Sequence, residues 1–148
     1  MSPIKITRTI NSPANIVFNT VADISQFSEA IPHITKVEFL TDQKSGVGTR
    51  FIETRLMRGK EASTELEVTE YVENERIRLV TDNHGSVWDT VFTVSQQGEK
   101  TELVMIMDSK PYKLIPKLTY PLIKGIIAKA VESDMDSVKQ FCEQKVSD

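Results

Sequence analysis

Cysteine and histidine are nearly absent from this sequence: Cys142 is the one cysteine, and His33 and His84 are the two histidines. A single cysteine cannot form an internal disulfide. One cysteine and two histidines are also too few for a Cys/His metal site or an iron–sulfur site. We therefore predict no metal and no cofactor. Cys142 lies on an apolar helix stripe without a His and an acid at a recognisable spacing, so we expect a core residue rather than a nucleophile.

Long hydrophobic runs are also absent. Residues 1–10 hold no apolar run of signal-peptide length, so we expect a cytoplasmic protein. The apolar stretch near the C-terminus is interrupted by Lys124, Gly125 and Lys129 and is too short to cross a bilayer. The sequence therefore predicts no integral membrane segment.

Neither sign of charge dominates, because 18 basic residues are spread among 21 acidic ones and the net charge is −3. No basic cluster indicates a nucleic-acid partner. A nucleophile elbow, a phosphate-binding glycine loop and a dinucleotide fingerprint are likewise missing. The length of 148 residues and the 39% hydrophobic content are typical of one globular domain, which we place at residues 1–148.

Seven segments have the composition and alternation of β-strands. They are residues 3–11, 34–41, 47–57, 62–72, 76–81, 86–94 and 101–108. Short polar turns connect the last six, which predicts an antiparallel meander.

Two short helices are predicted between the first and second strands. Ser12 can cap the first, with Pro13 at its first position. Asp23 and Gln26 have the spacing of a capping box for the second, which ends before Pro32.

Residues 122–146 predict one long helix, preceded by a loop or short helical turn over 109–120. Its first half is apolar on nearly every side, whereas its second half narrows to a stripe, with Asp134 among the polar residues outside it. A helix apolar all round needs cover on more than one side. A single long helix after a run of strands therefore indicates a curved sheet wrapped round it, and the hollow between them would be a ligand site.

We predict that a hydrophobic small molecule occupies this hollow. The predicted ligand-binding residues are Phe27, Phe51, Trp88, Thr90, Phe92, Met105, Met107, Tyr120, Leu122, Ile123, Ile126 and Ile127. Ordinary core packing is the favoured interpretation for any single methionine, whereas the set as a whole favours a cavity wall. Trp88 in particular either stacks on a flat ligand or fills the core.

Three charged residues lie inside predicted strands: Glu53, Arg55 and Asp89. Pointing inward, they would pair with each other or hold a polar group of the ligand, because a lone buried charge is costly. Pointing outward, they are ordinary solvated residues, which is the favoured interpretation for each. Alternation puts Glu53 and Arg55 on one face of the strand with Phe51, but it does not show whether this face points into the cavity. With Tyr120 they are the candidate catalytic residues if the protein is an enzyme.

Several segments together resemble one known superfamily. They are residues 12–18 (SPANIVF), 21–24 (VADI), 31–34 (IPHI), 46–51 (GVGTRF), 68–71 (VTEY) and the closing helix. They resemble the START-like or helix-grip superfamily (SRPBCC), in its bacterial polyketide cyclase/dehydrase and lipid-transport branch. The resemblance implies an α+β helix-grip fold. In it, a seven-stranded curved antiparallel sheet wraps round a long C-terminal helix, and two short helices lie between strands 1 and 2.

Members of this superfamily bind lipids, quinones, polyketides, plant hormones or aromatic compounds. The resemblance therefore implies binding of a hydrophobic small molecule, whether lipid, quinone, polyketide-like or aromatic. Two alternatives stay open: a polyketide cyclase/dehydratase-like enzyme acting on such a ligand, and a protein-interaction module of the same fold with a protein partner.

Overall fold

A computed structural model describes residues 3–147 of the chain, the last of them by its backbone alone. Within these residues, seven strands and three helices follow one another in this order: β1 (Ile4–Ile10), α1 (Ala14–Ala22), α2 (Ile24–Ala30), β2 (Ile34–Phe39), β3 (Arg50–Met57), β4 (Lys60–Val72), β5 (Arg76–Asn83), β6 (Ser86–Gln97), β7 (Lys100–Pro111) and α3 (Leu114–Ser147).

The strands form one sheet in the order β1-β7-β6-β5-β4-β3-β2, and every neighbouring pair is antiparallel. The predicted meander over β2–β7 is confirmed, and β1 joins it by pairing with β7. The connection through α1 and α2 thus crosses from one edge of the sheet to the other. Irregularities between Ile34 and Lys36 and between Val68 and Glu70 bend the strands. The α+β helix-grip fold is confirmed.

The two short helices begin by different means. Asp23 caps α2, because its carboxylate accepts hydrogen bonds from the backbone N–H groups of Ser25 (3.0 Å) and Gln26 (3.2 Å). The Gln26 side chain does not complete the predicted box, since its carbonyl accepts a hydrogen bond from Lys145 on α3. The predicted cap by Ser12 is wrong: Pro13 is the N-cap residue of α1, and the buried Ser12 hydroxyl makes no hydrogen bond to the described residues.

The long helix begins eight residues before the predicted start, at Leu114 rather than Leu122. Residues 109–111 belong to β7, so the segment 109–120 is not the predicted loop. Pro116 and Pro121 led to the later predicted start, because proline usually interrupts a helix. Pro116 lies in the first turn, where its missing N–H would have no partner in any case, and Pro121 removes only one bond of a helix supported elsewhere.

The second half of α3 crosses the concave face of the sheet and is packed into the core there. Val131, Met135, Val138 and Cys142 are buried, and the Cys142 thiol donates a hydrogen bond to the Thr20 hydroxyl at 3.3 Å. Burial raises the pKa of this thiol. The first half has its apolar cover on one side only, since Leu122 is 79% exposed. The prediction that the sheet encloses it was wrong, because the helix runs beyond the strands that cover its other half.

Candidate ligand cavity

The concave face of the sheet, α2 and the middle of α3 enclose a cavity of about 390 Å³. This volume lies within the range of small-molecule sites, roughly 300–1,000 Å³. The register of the strands builds its floor. Leu79, Thr90 and Met107 form one cross-strand row on β5, β6 and β7, and their side chains point to the same face.

Eight of the twelve predicted ligand-binding residues line this cavity. They are Phe27, Phe51, Trp88, Thr90, Phe92, Met105, Met107 and Ile127. Phe27 of α2 packs edge-on against Phe92 of β6, with ring centroids 6.0 Å apart, and so joins the helix layer to the floor. Whether these residues contact a ligand stays a prediction.

The other four, Tyr120, Leu122, Ile123 and Ile126, do not line the cavity. Leu122, Ile123 and Ile126 are 79%, 38% and 50% exposed and lie on α3 before the point where it enters the concave face. Their predicted positions were wrong because the hydrophobicity of a helix does not show where along its length the sheet covers it.

Tyr120 lies behind the cavity wall. Its ring contacts Trp88, with centroids 6.0 Å apart, and its hydroxyl is buried without a hydrogen bond to the described residues. Burial, and then the nearby Asp108 carboxylate, raise the pKa of this phenol. Tyr120 thus supports Trp88 from outside the cavity.

Three charged side chains form the polar part of the wall. Arg55 of β3 donates through Nε to Glu53 Oε1 at 2.5 Å, and through Nη1 to Asp134 of α3 at 3.1 and 2.9 Å. All three residues line the cavity, and their side chains are at most 22% exposed. We call Glu53, Arg55 and Asp134 the ionic cluster. Glu53 and Arg55 therefore point inward, against the orientation favoured from the sequence.

The ionic cluster sets one positive charge against two negative ones. Burial raises the pKa of Asp134. The ion pair with Arg55 lowers this pKa, but not enough to cancel the effect of burial, and the negative charge of Glu53 raises it further. Burial alone would lower the pKa of Arg55, but Glu53 and Asp134 outweigh it and raise the pKa. Asp134 is consequently the group in the cavity that takes up a proton more readily than an ordinary aspartate.

Asp134 was the main residue that the sequence reasoning missed, since it was placed on the outer side of the helix. It is 8% exposed. The spacing Ile127, Val131, Asp134, Val138 follows one helix face, and this pattern could have revealed it.

Asp89 lies on the opposite face of the sheet, because it alternates with the cavity-lining Trp88 and Thr90. There it pairs with Arg78, which also binds Glu70 at 3.0 Å. Hydrogen bonds from Arg78 lower the pKa of Asp89. A surface ion pair explains Asp89, and the structure does not bring it together with Glu53 and Arg55.

Thr81 is a further lining residue that the sequence did not single out. Its hydroxyl is buried and makes no hydrogen bond to the described residues. A buried unsatisfied hydroxyl costs about 1–3 kcal/mol, so its position on a cavity wall needs a reason. The remaining lining residues, also missed, are mainly apolar: Val21, Ile24, Ile34, Val37, Met57, Thr64, Leu66, Leu79, Asn83, Val131, Met135 and Val138.

Two other kinds of site are absent from residues 3–147. No group of three or more His, Cys, Asp or Glu residues is placed there to hold a metal ion. No helix of that part of the chain combines the length and the apolar character that crossing a bilayer requires.

Comparison with solved structures supports the fold. The Zhui aromatase/cyclase from Streptomyces sp. R1128 superposes with a TM-score of 0.82 at 17% identity, over 97% of this chain and 94% of that one. A START superfamily protein from Mycobacterium smegmatis gives a TM-score of 0.79 at 17% identity, over 97% and 99%. A conserved protein from Geobacillus kaustophilus gives 0.76 at 10% identity, over 96% and 95%. At these identities the likeness concerns the fold alone.

No curated protein matches the chain at a significant level. A family model does match, and it covers residues 1–143, which is nearly the whole sequence. The chain therefore belongs to the family described as polyketide cyclase / dehydrase and lipid transport.

Proposed function

We propose that residues 1–148 form one START-like domain that binds a neutral hydrophobic molecule carrying a hydroxyl or carbonyl group. The observation that supports this most is the cavity of about 390 Å³, whose wall is apolar except for the ionic cluster and a few hydroxyl and amide groups. Such a mixture suits a ligand with an apolar body and one polar end. The candidate classes are lipids, quinones, polyketide-like compounds and aromatic compounds.

The polar groups favour an uncharged ligand. With both carboxylates ionised, the ionic cluster carries a net negative charge, which opposes entry of a carboxylate. The bonds to Glu53 and Asp134 use Nε and Nη1 of Arg55 and leave Nη2 for an additional acceptor. The Thr81 hydroxyl offers a second polar contact. A ligand carbonyl or hydroxyl can satisfy either group.

Trp88 provides the test, because it is the one tryptophan of the chain and it lines the cavity. A brominated medium-chain alcohol should quench its fluorescence in a saturable way, and the matching brominated carboxylic acid should bind more weakly at neutral pH. Thr90→Phe places a ring inside the cavity and should weaken binding at least about tenfold. Val91→Phe, on the opposite face one residue along, is the matched control.

Thermal unfolding of both variants establishes that they are folded. Quenching that does not saturate, or that Thr90→Phe leaves unchanged, would contradict the proposal. Stronger binding of the acid than of the alcohol would contradict its preference for a neutral ligand.

A second candidate function is dehydration of a bound β-hydroxy carbonyl compound, favoured by one observation: Asp134, with its raised pKa, and Glu53 face the same cavity. In such a reaction a carboxylate removes the proton α to the carbonyl, and a protonated carboxyl donates a proton to the departing hydroxyl. The products are an α,β-unsaturated carbonyl compound and water. Arg55 would stabilise the negative charge that develops on the carbonyl oxygen.

Absorbance of the conjugated product tests this reaction with a simple β-hydroxy ketone. Asp134→Asn should abolish turnover while the Trp88 titration still shows binding. Undiminished turnover in that variant would reject the assignment, and binding without any turnover in the unaltered protein would leave the binding function alone.

A further inference from the structure

The first half of α3 exposes an apolar face to solvent. Leu114, Leu118, Leu122 and Ile126 recur every four residues and so share one side of the helix, and Ile115 adjoins them. Leu118 is 67% exposed and Ile115 is 74% exposed. We call these five residues the α3 ridge.

The same side of the helix changes character beyond Lys129. Because the helix has 3.6 residues per turn, this side continues through Glu132 or Ser133, Asp136 and Gln140, which are all exposed. A helix side that meets only water is normally polar, as this second half is. Five neighbouring large aliphatic residues on the first half therefore indicate a surface that becomes covered.

Positive charge surrounds the α3 ridge. Residues 109–131 contain five lysines and no acidic residue, whereas the rest of the chain has 13 basic and 21 acidic residues. Lys110, Lys113, Lys117 and Lys129 are exposed, and Lys124 interacts with another group of the protein. What covers the ridge is therefore expected to be negatively charged.

The α3 ridge also adjoins the cavity. Leu114, Ile115 and Ile123 line a surface depression together with Asn83 and Trp88, and these last two residues also line the cavity. Trp88, which contacts Tyr120, thus lies between the ligand cavity and the depression beside the ridge. A ligand that left the cavity past Trp88 would reach this depression.

We propose that the α3 ridge docks on the surface of an anionic lipid bilayer, from which the hydrophobic ligand reaches the cavity beside Trp88. Only the transfer of the ligand rests on the proposed function; the docking itself does not. Aliphatic residues flanked by lysines are typical of helices that lie in the bilayer interface, where lysines extend to the headgroups. Protein interfaces are instead enriched in aromatic residues and arginine and depleted in lysine, which favours a bilayer over an acidic protein.

Vesicle flotation of the full chain tests the docking. Vesicles of phosphatidylcholine and phosphatidylglycerol in equal amounts should bind the protein at least about tenfold better than phosphatidylcholine alone, since each lysine near an anionic surface adds to the attraction. High salt should remove most of this preference. Leu118→Ser with Leu122→Ser should lower binding at least about tenfold, whereas Val47→Ser, a 57% exposed valine in a loop, should not.

Charge reversal provides a second pair of variants. Lys117→Glu with Lys129→Glu should reduce flotation on anionic vesicles to the level seen on neutral ones. Lys36→Glu with Lys100→Glu alters two exposed lysines outside residues 109–131 and is the matched control. Equal loss in both pairs would overturn the role of the local charge.

Several outcomes overturn the docking proposal: no flotation, equal flotation on neutral and anionic vesicles, or unchanged flotation of the double serine variant. A dimer of the unaltered protein that this variant dissociates would assign the ridge to a second copy, and capture of an acidic protein without flotation would assign it to a protein partner. Trp88 quenching without vesicles distinguishes the two proposals. Quenching without flotation refutes the docking alone, and flotation without quenching refutes the cavity ligand alone.

Discussion

Arg55 and Asp134 link the sheet to the long helix through an ion pair in which Nη1 of the guanidinium lies 3.1 and 2.9 Å from the two carboxylate oxygens. The residues are 79 positions apart in the chain and come from β3 and α3. Glu53 shares the same guanidinium. One cation therefore serves two carboxylates at the wall of an otherwise mainly apolar cavity.

Removal of the cation is the most damaging change that we expect in this cluster. Arg55→Met leaves two buried carboxylates without compensation and should lower the free energy of unfolding by about 3–5 kcal/mol at neutral pH. Urea unfolding measures this. Arg50→Met is the matched control on the same strand: it breaks the exposed pair with Glu65 and should cost less than about 1 kcal/mol. Equal losses would show that the cluster is not effectively buried.

Asp134→Asn should change how stability depends on pH. The pKa of Asp134 is raised in the folded protein, so the folded state binds this proton more tightly than the unfolded chain. The resulting stabilisation is fully present below the ordinary carboxyl pKa of 3.8 and is lost as the pH rises through the raised folded pKa. The Asn variant lacks this decline.

Unfolding measured from acidic to neutral pH checks the difference between the two proteins. Asp136→Asn is the control, since Asp136 lies on the exposed face of α3 and pairs with Arg8, and it should keep the decline attributed to Asp134. If the free energy of unfolding of Asp134→Asn equals that of the unaltered protein at every pH, burial does not raise the pKa of Asp134.

Thr81→Val should stabilise the ligand-free protein. The substitution replaces a buried hydroxyl that lacks a hydrogen bond by a methyl group of the same size, which is worth about 1 kcal/mol. It should also weaken binding of the brominated alcohol, because a polar contact in the cavity is lost. Denaturant unfolding and the Trp88 titration measure the two effects.

Thr20→Val is the matched control for Thr81→Val. The Thr20 hydroxyl donates to the Ile16 carbonyl at 2.8 Å and accepts from Cys142, so its removal should destabilise the protein by about 1 kcal/mol. Destabilisation of the same size at both positions would mean that the Thr81 hydroxyl has a partner after all.

Gly85→Ala should be more harmful than Gly59→Ala, although both glycines lie in hairpin turns with φ of +88° and +78°. Each substitution pays for a left-handed alanine, about 1–2 kcal/mol. At Gly85 the new Cβ would also lie 2.7 Å from Lys113 Cδ, and at Gly59 it meets nothing within 4 Å. We expect an additional loss of at least about 1 kcal/mol at Gly85. Equal thermal shifts would contradict this clash.

Local patterns were sufficient for the succession of elements. Alternating hydrophobicity identified seven strands, and polar turns with glycine located the hairpins, because both follow from the two-residue period of a strand and from the backbone freedom of glycine. The cap at Asp23 and the burial of Cys142 were also predicted correctly. Each of these depends on a few neighbouring residues.

The sequence by itself thus determined the strands, the short helices and the apolar stripe of the terminal helix, since each of these follows from a pattern among residues that are close together in the chain. Tertiary structure alone decided that Glu53 and Arg55 point inward, that Asp134 meets them, and that Leu122 and Ile126 remain exposed. A strand's alternation shows which residues share a face but not which face the helix covers. A helix's hydrophobicity does not show where along its length the sheet ends. The covered face of a strand and the covered length of a helix both depend on contacts between segments far apart in the chain.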